Sequence, residues 1–348
     1  MVVEMDPMTF EVIRDGGSER VEVMDPKTLF FDGNHAFEAL DFRTAAKKYA
    51  LVVARFPKDR YATVSAYNAG LSLEKLRRFQ DAVPYFAAVV ERTKGSKDAQ
   101  DALFRMVACF EGDENWAEME KTAERILVPH YPSIVLVDSI SGLAQRGFAR
   151  QKLGRLAQAE RDYKAALALY RKNIDDRALH SSPSVALAQF QIAEIYRELF
   201  SSIQFHLPTD RMARDLDDKS NFFLMSQTGY LRALRLRHTD FSTIAGYRLG
   251  ALYEVMYDDM MAAEIPDELN RDQVEQYYEE LRERIRPLLV RAIDIYERNL
   301  RMGQRYGKAS EDGWVRRTEA GLARLKEVLA QESSRDAAAE IRRHQAMP

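Results

Sequence analysis

Small and apolar residues return along this chain in a pattern whose unit is 37 to 40 residues long. A small residue is followed twelve positions on by a second small or apolar one: Gly33 and Ala45, Gly70 and Ala82, Val107 and Met119, Gly147 and Ala159. Four positions further stand Tyr49, Phe86, Ala123 and Tyr163. A period in this range predicts an array of two-helix repeats, because one such pair cannot bury its own apolar face and needs neighbours. Turn signals fall inside each repeat, at Leu40-Asp41, Arg77-Arg78, Gly112-Asp113 and Gly154-Arg155. Pro57 and Pro132 punctuate the boundaries between repeats, and Pro84 lies in the first turn of a helix, where a missing N–H costs nothing.

The pattern changes at both ends. TFEVIRDGGSERVEV alternates apolar and polar on either side of Asp-Gly-Gly, which predicts a β-hairpin leaning on the first helix. Asp25-Pro26 then reads as an N-cap followed by a first-turn proline. The fifth and sixth repeats are interrupted. ALAQFQIAEIYREL meets its partner SQTGYLRALRLR only after the polar stretch HLPTDRMARDLDDKS, expected to be a loop at the edge of the array or one that orders on a partner. STIAGYRLGALYEVM is separated from RAIDIYERNL by EIPDELNRDQVEQYYEELRERIRP, itself helical in pattern, with Asp267 or Asn270 as cap and a break or kink at Pro287. GWVRRTEAGLARLKEVLAQ places Trp314, Leu322, Leu325 and Leu329 near one face, as a closing helix needs, and the polar tail after Glu332 is expected to fray.

Composition narrows the class. The chain is 46% apolar and 30% charged, with 51 basic and 54 acidic residues well mixed, so wholesale disorder is excluded and no basic stripe for nucleic acid is expected. No apolar run approaches the roughly 18 residues of a membrane span, and no secretory signal is visible at MVVEMDPMTF, whether a true start or the remainder after cleavage. The single cysteine, Cys109, sits in an apolar pattern and reads as a small buried hydrophobe. The six histidines show no metal-ligand spacing, and neither a phosphate-binding glycine loop nor a nucleophile elbow is present. No enzyme chemistry, cofactor or metal is expected.

These residues resemble the tetratricopeptide repeat (TPR) family. LAQRGFARQKLGRLAQAERDYKAALALY matches its pattern through Leu143, Gly147, Gly154, Ala159, Tyr163 and Ala166; the second repeat matches through Gly70, Phe79, Ala82 and Phe86, and the first through Gly33, Phe42, Ala45, Tyr49 and Pro57. The third, with Val107, Trp116, Met119 and Ala123, departs from it. The resemblance covers about 27–300 and implies an all-α, right-handed α-α superhelix of about six helix pairs, with the N-terminal hairpin and a C-terminal capping helix. The part from YEELRERIRPLLVRAIDIYERNL to the tryptophan helix is similar to delta-proteobacterial TPR proteins of gliding-motility and Tol-Pal-accessory envelope systems. The expected organisation is 1–25 hairpin, 26–172 four regular repeats, 173–302 two repeats with insertions, 303–331 capping helix and 332–348 polar tail.

If the family's geometry holds, Phe30, Tyr67, Phe104, Ala144, Phe190 and Tyr247 face an inner groove, and Asn34, Leu71, Ala108, Phe148, Glu194 and Ala251 lie one turn further along it. The candidate partner-binding residues are therefore Phe30, Asn34, Tyr67, Leu71, Phe104, Phe148, Phe190 and Tyr247. Either the aromatics form a ladder that grips an apolar peptide or partner helix, or they pack between first helices as core. Basic groups are missing where a clamp for a terminal carboxylate would need them. Two functions follow as expectations. One is a noncatalytic scaffold for other proteins in a bacterial envelope or gliding-motility complex, periplasmic or outer-membrane-associated if a signal was removed. The other is a cytoplasmic regulator that senses a peptide in the groove.

Overall fold

The computed structural model describes residues 8–15, 18–127, 135–307 and 313–345. Among them are thirteen α-helices, a short 3-10 turn at Arg177–Leu179 and one two-stranded sheet. The chain divides into two units, Met1–Ala166 and Leu167–Pro348, and each is described by itself.

The N-terminal unit opens on β1 (Thr9–Asp15) and β2 (Ser18–Met24), antiparallel with Phe10 opposite Val23 and Val12 opposite Val21. Gly16 and Gly17, at the expected turn, lie outside the described residues, as does the boundary expected at Pro132. Asp25 caps α1 (Pro26–Glu38): its carboxylate accepts the Thr28 N–H at 2.8 Å, and Pro26 occupies the first helical turn. There follow α2 (Phe42–Arg55), α3 (Ala62–Lys75), α4 (Phe79–Arg92), α5 (Lys97–Gly112), α6 (Trp116–Leu127), α7 (Leu136–Lys152) and α8 (Leu156–Lys172), the last running across the unit boundary. Turns inside the pairs use a left-handed residue at Leu40 (φ 62°), Arg77 (φ 57°), Glu114 (φ 55°) and Gly154 (φ 75°). The third turn thus pivots two residues after Gly112, which closes α5.

Three of the four pairs in this unit are held by a ring laid on a glycine. A Cβ added to Gly33, Gly70 or Gly147 would stand 2.7 Å from the ring of Tyr49, Phe86 or Tyr163, well inside contact distance. The third pair inverts the sizes: Val107 faces Ala123, both fully buried, so the larger side chain has moved to the other helix and the space stays filled. Buried tyrosines also need an acceptor, and α1 and α7 each supply one near the small residue. Tyr49 donates to Asn34 Oδ1 at 2.7 Å, and Tyr163 to Gln151 Oε1 at 2.9 Å. Phe86 and Ala123 carry no hydroxyl and need none.

The C-terminal unit holds α9 (Pro183–Ser202), α10 (Thr209–Arg235), α11 (Thr239–Met261), α12 (Arg271–Arg305) and α13 (Gly313–Gln345). Tyr230 of α10 lies fully buried and donates to Glu194, while Gly229 lets α10 approach Ala193 closely. Tyr296 of α12 sits between Gly250 and Gly321 and donates to Glu254 Oε2 at 2.6 Å.

Three expectations are corrected here. The polar stretch at 206–222 is mostly not a loop, since α10 begins at Thr209. Its anchor is Lys219, which is fully buried. Its ammonium donates to the carbonyls of Phe200 (2.9 Å) and Ile203 (2.6 Å), pairs with Asp259 (2.8 Å), and lies 4.3 Å from the Phe200 ring centre. The cation thereby satisfies open carbonyls at the C-terminus of α9 and ties α9, α10 and α11 together. Pro287 does not break α12, because its ring lies on the exposed side while Ile285, Leu289, Ala292 and Tyr296 hold the other side in the core. The carbonyl that its missing N–H would have served belongs to Glu283, itself an exposed residue, so the lost bond falls on the solvent side of the helix. Finally, α13 continues past 331 to Gln345: Glu332 is buried and accepts the Tyr257 O–H, so the first part of the expected tail is pinned helix.

Two outcomes follow. Lys219→Met should lower unfolding stability by about 3 kcal/mol, since it strands two carbonyls and a carboxylate; a urea melt moved by less than about 1 kcal/mol would show that the buried cation is dispensable. Gly70→Val and Phe86→Ala should each cost about 2–4 kcal/mol. The double variant should lose less than their sum by at least about 1 kcal/mol, because it recreates the Val107–Ala123 arrangement; strict additivity would refute the size exchange.

Candidate partner-binding face

In the N-terminal unit the residues expected to face a partner lie on the first helices of the pairs, and the structure divides them by what they touch. Phe30 of α1 stacks on Tyr61 at 4.9 Å and 24°, with Phe31 5.5 Å away. Asn34 is engaged by the Tyr49 phenol, a structural duty. Tyr67, Leu71, Phe104 and Phe148 are brought together as the half-buried margin of one core cluster around Phe86, Leu103, Val107 and Met119. The aromatics therefore pack between helices and are left only partly exposed. The Phe148 ring meets Trp116 edge-on at 5.7 Å, and the Lys152 ammonium lies 5.3 Å and 5.6 Å from the two ring centres. Lys152 escaped sequence reasoning, and Trp116 was read only as a residue of the third repeat, although a lysine four residues after Phe148 on a helix is the signal that finds such a contact. Val64, one turn before Tyr67 and 41% exposed, was also missed, since a lone valine at a helix start reads as ordinary surface.

Charge on this unit is largely used internally. Arg146 grips Asp162 through two bonds of 2.6 Å and 3.1 Å. Arg150, mostly buried, donates to Glu120, Glu124 and Asp162 at 2.8 Å each, and Arg155 closes on Glu120 at 2.7 Å. Three guanidiniums and three carboxylates thus fasten α6, α7 and α8, a geometry in which bidentate pairing compensates for desolvation. Arg105 pairs with Glu74 at 3.2 Å between α5 and α3. Burial pushes the Cys109 thiol up to about 12, which leaves it an inert part of the core.

In the C-terminal unit Phe190 is buried between Tyr230 and Phe241, each 5.7 Å away, so it belongs to the core. Tyr247 stacks on Tyr296 at 5.9 Å and 18°, and lies 5.5 Å from Trp314. The guanidiniums of Arg248 and Arg317 flank the indole at 5.4 Å and 4.6 Å. Leu325 is buried and Leu322 and Leu329 pack beside it, so α13 covers the end of the unit. Glu194 accepts the Tyr230 phenol and pairs with Arg197 (3.1 Å) and Arg248 (3.2 Å); Arg324 pairs with Glu254 and Asp258, both at 2.7 Å. Among the described residues no group of three His, Cys, Asp or Glu side chains is placed to hold a metal ion, and no helix is long and apolar enough to cross a membrane.

No protein-family model matches this chain, and no curated protein sequence does. Among solved structures, MamA from Desulfovibrio magneticus RS-1 is similar at 19% identity over 43% of this chain and 77% of that one, with a TM-score of 0.35. A TPR repeats protein from Bacteroides fragilis NCTC 9343 is 14% identical over 87% of this chain and 99% of that one, with a TM-score of 0.32. The apo form of RapI is 8% identical over 89% of this chain and 99% of that one, with a TM-score of 0.47. At scores this low the likeness carries no functional argument, and the reading of this chain rests on its own residues.

The buried phenols make a test of the C-terminal unit. Burial first, and then the carboxylates Glu194, Glu332 and Glu254, hold Tyr230, Tyr257 and Tyr296 above the usual phenol range. In the unfolded chain these groups ionise near pH ~10, while the folded chain keeps its protons to higher pH. Stability is therefore complete below about pH 10 and falls above it, by up to ~1.4 kcal/mol per pH unit for each phenol. Tyr230→Phe should start less stable and lose less on passing from about pH 9 to 11; denaturant melts whose pH profiles run parallel for the two proteins would refute this.

Proposed function

We propose that this chain is a noncatalytic adaptor of tetratricopeptide type that holds a protein or peptide on the first-helix face of its N-terminal unit. The observation that carries this reading is the half-apolar strip along α3, α5 and α7. Val64, Tyr67 and Leu71 follow one another at helical spacing and are continued by Phe104 and Phe148, with Lys152 and the Arg105–Glu74 pair beside them. Apolar side chains held half-open by a rigid core beneath, with fixed charges at the margin, suit a partner's extended segment or helix, because little ordering cost remains on binding. The charges that could supply chemistry are engaged in fastening helices. The finer reading places this adaptor in a bacterial envelope or gliding-motility complex. It rests on the C-terminal sequence resemblance, and fractionation of cells expressing the full gene product tests it separately.

The binding test is in-cell cross-linking and capture with the wild type and with Val64→Glu/Tyr67→Ala. Loss of one or two specific partners at least tenfold, with the melting curve kept, is the expected result. A partner set unchanged by a folded double variant sinks the assignment of this face.

A further inference from the structure

The helix that replaces the expected 206–222 loop carries an exposed stripe of its own. On α10, Asp217, Asn221, Leu224, Thr228, Leu231 and Arg235 recur at spacings of four, three, four, three and four residues. That alternation is the seam of a helix that packs lengthwise on another helix. All six side chains are exposed, Leu224 at 55% and Leu231 at 41%, and the neighbouring Met225 is 42% exposed. The opposite side of α10 is the one that Lys219, Phe223, Ser226 and Tyr230 bury in the unit. Leucines on a seam with a methionine beside it, left exposed among the described residues, form an unpartnered face.

We propose that a second copy of this chain covers this face, through an antiparallel α10–α10 contact about a two-fold axis that crosses the stripe between Leu224 and Thr228, at the level of Ser226 on the far side of the helix. The stripe is symmetric about that level. An antiparallel copy sets Asp217 opposite Arg235, Asn221 opposite Leu231, and Leu224 opposite Thr228, so each contact occurs twice, as an isologous interface requires. The charges fit the same arrangement. Asp217 and Asp218 stand toward the N-terminal end of the stripe, with the exposed Arg214 one turn before them; Arg232 and Arg235 stand at the other end, and among the described residues none of Asp217, Asp218, Arg232 and Arg235 has an ion-pair partner within the chain. A parallel copy would set acid against acid and base against base, which the antiparallel one avoids. The seam is about 27 Å long at 1.5 Å per residue. Asn221 and Thr228 within it fix the register at a cost in strength. A single helix pair of this length lies at the low end of specific interfaces, so the dimer should dissociate in the micromolar range.

The experiment is sedimentation equilibrium on the full chain from about 1 to 100 µM, with circular dichroism melts to confirm that each variant folds. The wild type should pass from monomer to dimer within this range. Leu224→Glu/Leu231→Glu should remain monomeric throughout. Asp217→Arg and Arg235→Asp should each weaken the dimer about five- to tenfold, since each sets like charges opposite one another twice. The two substitutions in one chain should return the dissociation constant to within about twofold of wild type. A wild type that stays monomeric overturns the proposal and leaves the stripe to a helix of another protein. So does a dimer indifferent to the leucine variant, or a double charge exchange no tighter than the single ones. The result is independent of the partner-capture test, which reads a different face.

Discussion

The contact on which most of the helix pairs depend is a ring pressed against a residue with almost no side chain. Two helices whose backbones approach through glycine leave a slot, and Tyr49, Phe86, Tyr163 or Tyr296 fills it. Where the ring is absent, at Ala123, the slot is filled from the other side by Val107. What is conserved through the chain is a filled volume at one crossing point, not a residue type at one position. The phenol adds a second condition, because a hydroxyl taken out of water needs an acceptor, and Asn34, Gln151, Glu194 and Glu254 each provide one. Polar residues on the first helices are therefore drawn into the pairs' own architecture before a ligand could use them.

That constraint explains how much of the molecule was legible. Period, pair number and most turns follow from glycine and aromatic spacing, which is a local property of the chain. The two long helices did not. HLPTDRMARDLDDKS looks like a loop because its charges are read as solvated, and a lysine is the residue least expected to be fully buried. Lys219 is buried because of partners distant in sequence: the carbonyls that end α9 and the carboxylate of Asp259. Glu332 escaped for the same reason, since only the fold brings Tyr257 to it. Pro287 reads as a breaker wherever its environment is ignored, yet it is tolerated because it and Glu283, whose carbonyl loses its partner, are exposed while four apolar neighbours bind the other side of the helix.

The binding face was legible in part. The register of Tyr67, Leu71, Phe104 and Phe148 follows from the repeat, and the structure gathers them around one cluster. Whether an aromatic on such a register is ligand or core depends on the size of its neighbours, which a pattern of positions does not encode. Phe190 sank into the core because Tyr230 and Phe241 close over it, whereas Phe148 keeps a margin beside Trp116 and Lys152.

The two faces singled out differ in kind, and the difference follows from their helices. A first helix such as α3 or α5 packs against second helices on both sides along the chain, so its outward strip is narrow and its apolar residues remain half-rooted in the core. The α10 helix extends N-terminally through Lys219 and the turns before it, and the extension brings Asp217 and Asp218 to one side of a face whose other end carries Arg232 and Arg235. Half-rooted side chains on a fixed frame favour recognition of a foreign segment, with the frame already ordered. A freely exposed seam with opposite charges at its two ends favours its own antiparallel image, because no other arrangement of two copies satisfies both ends at once.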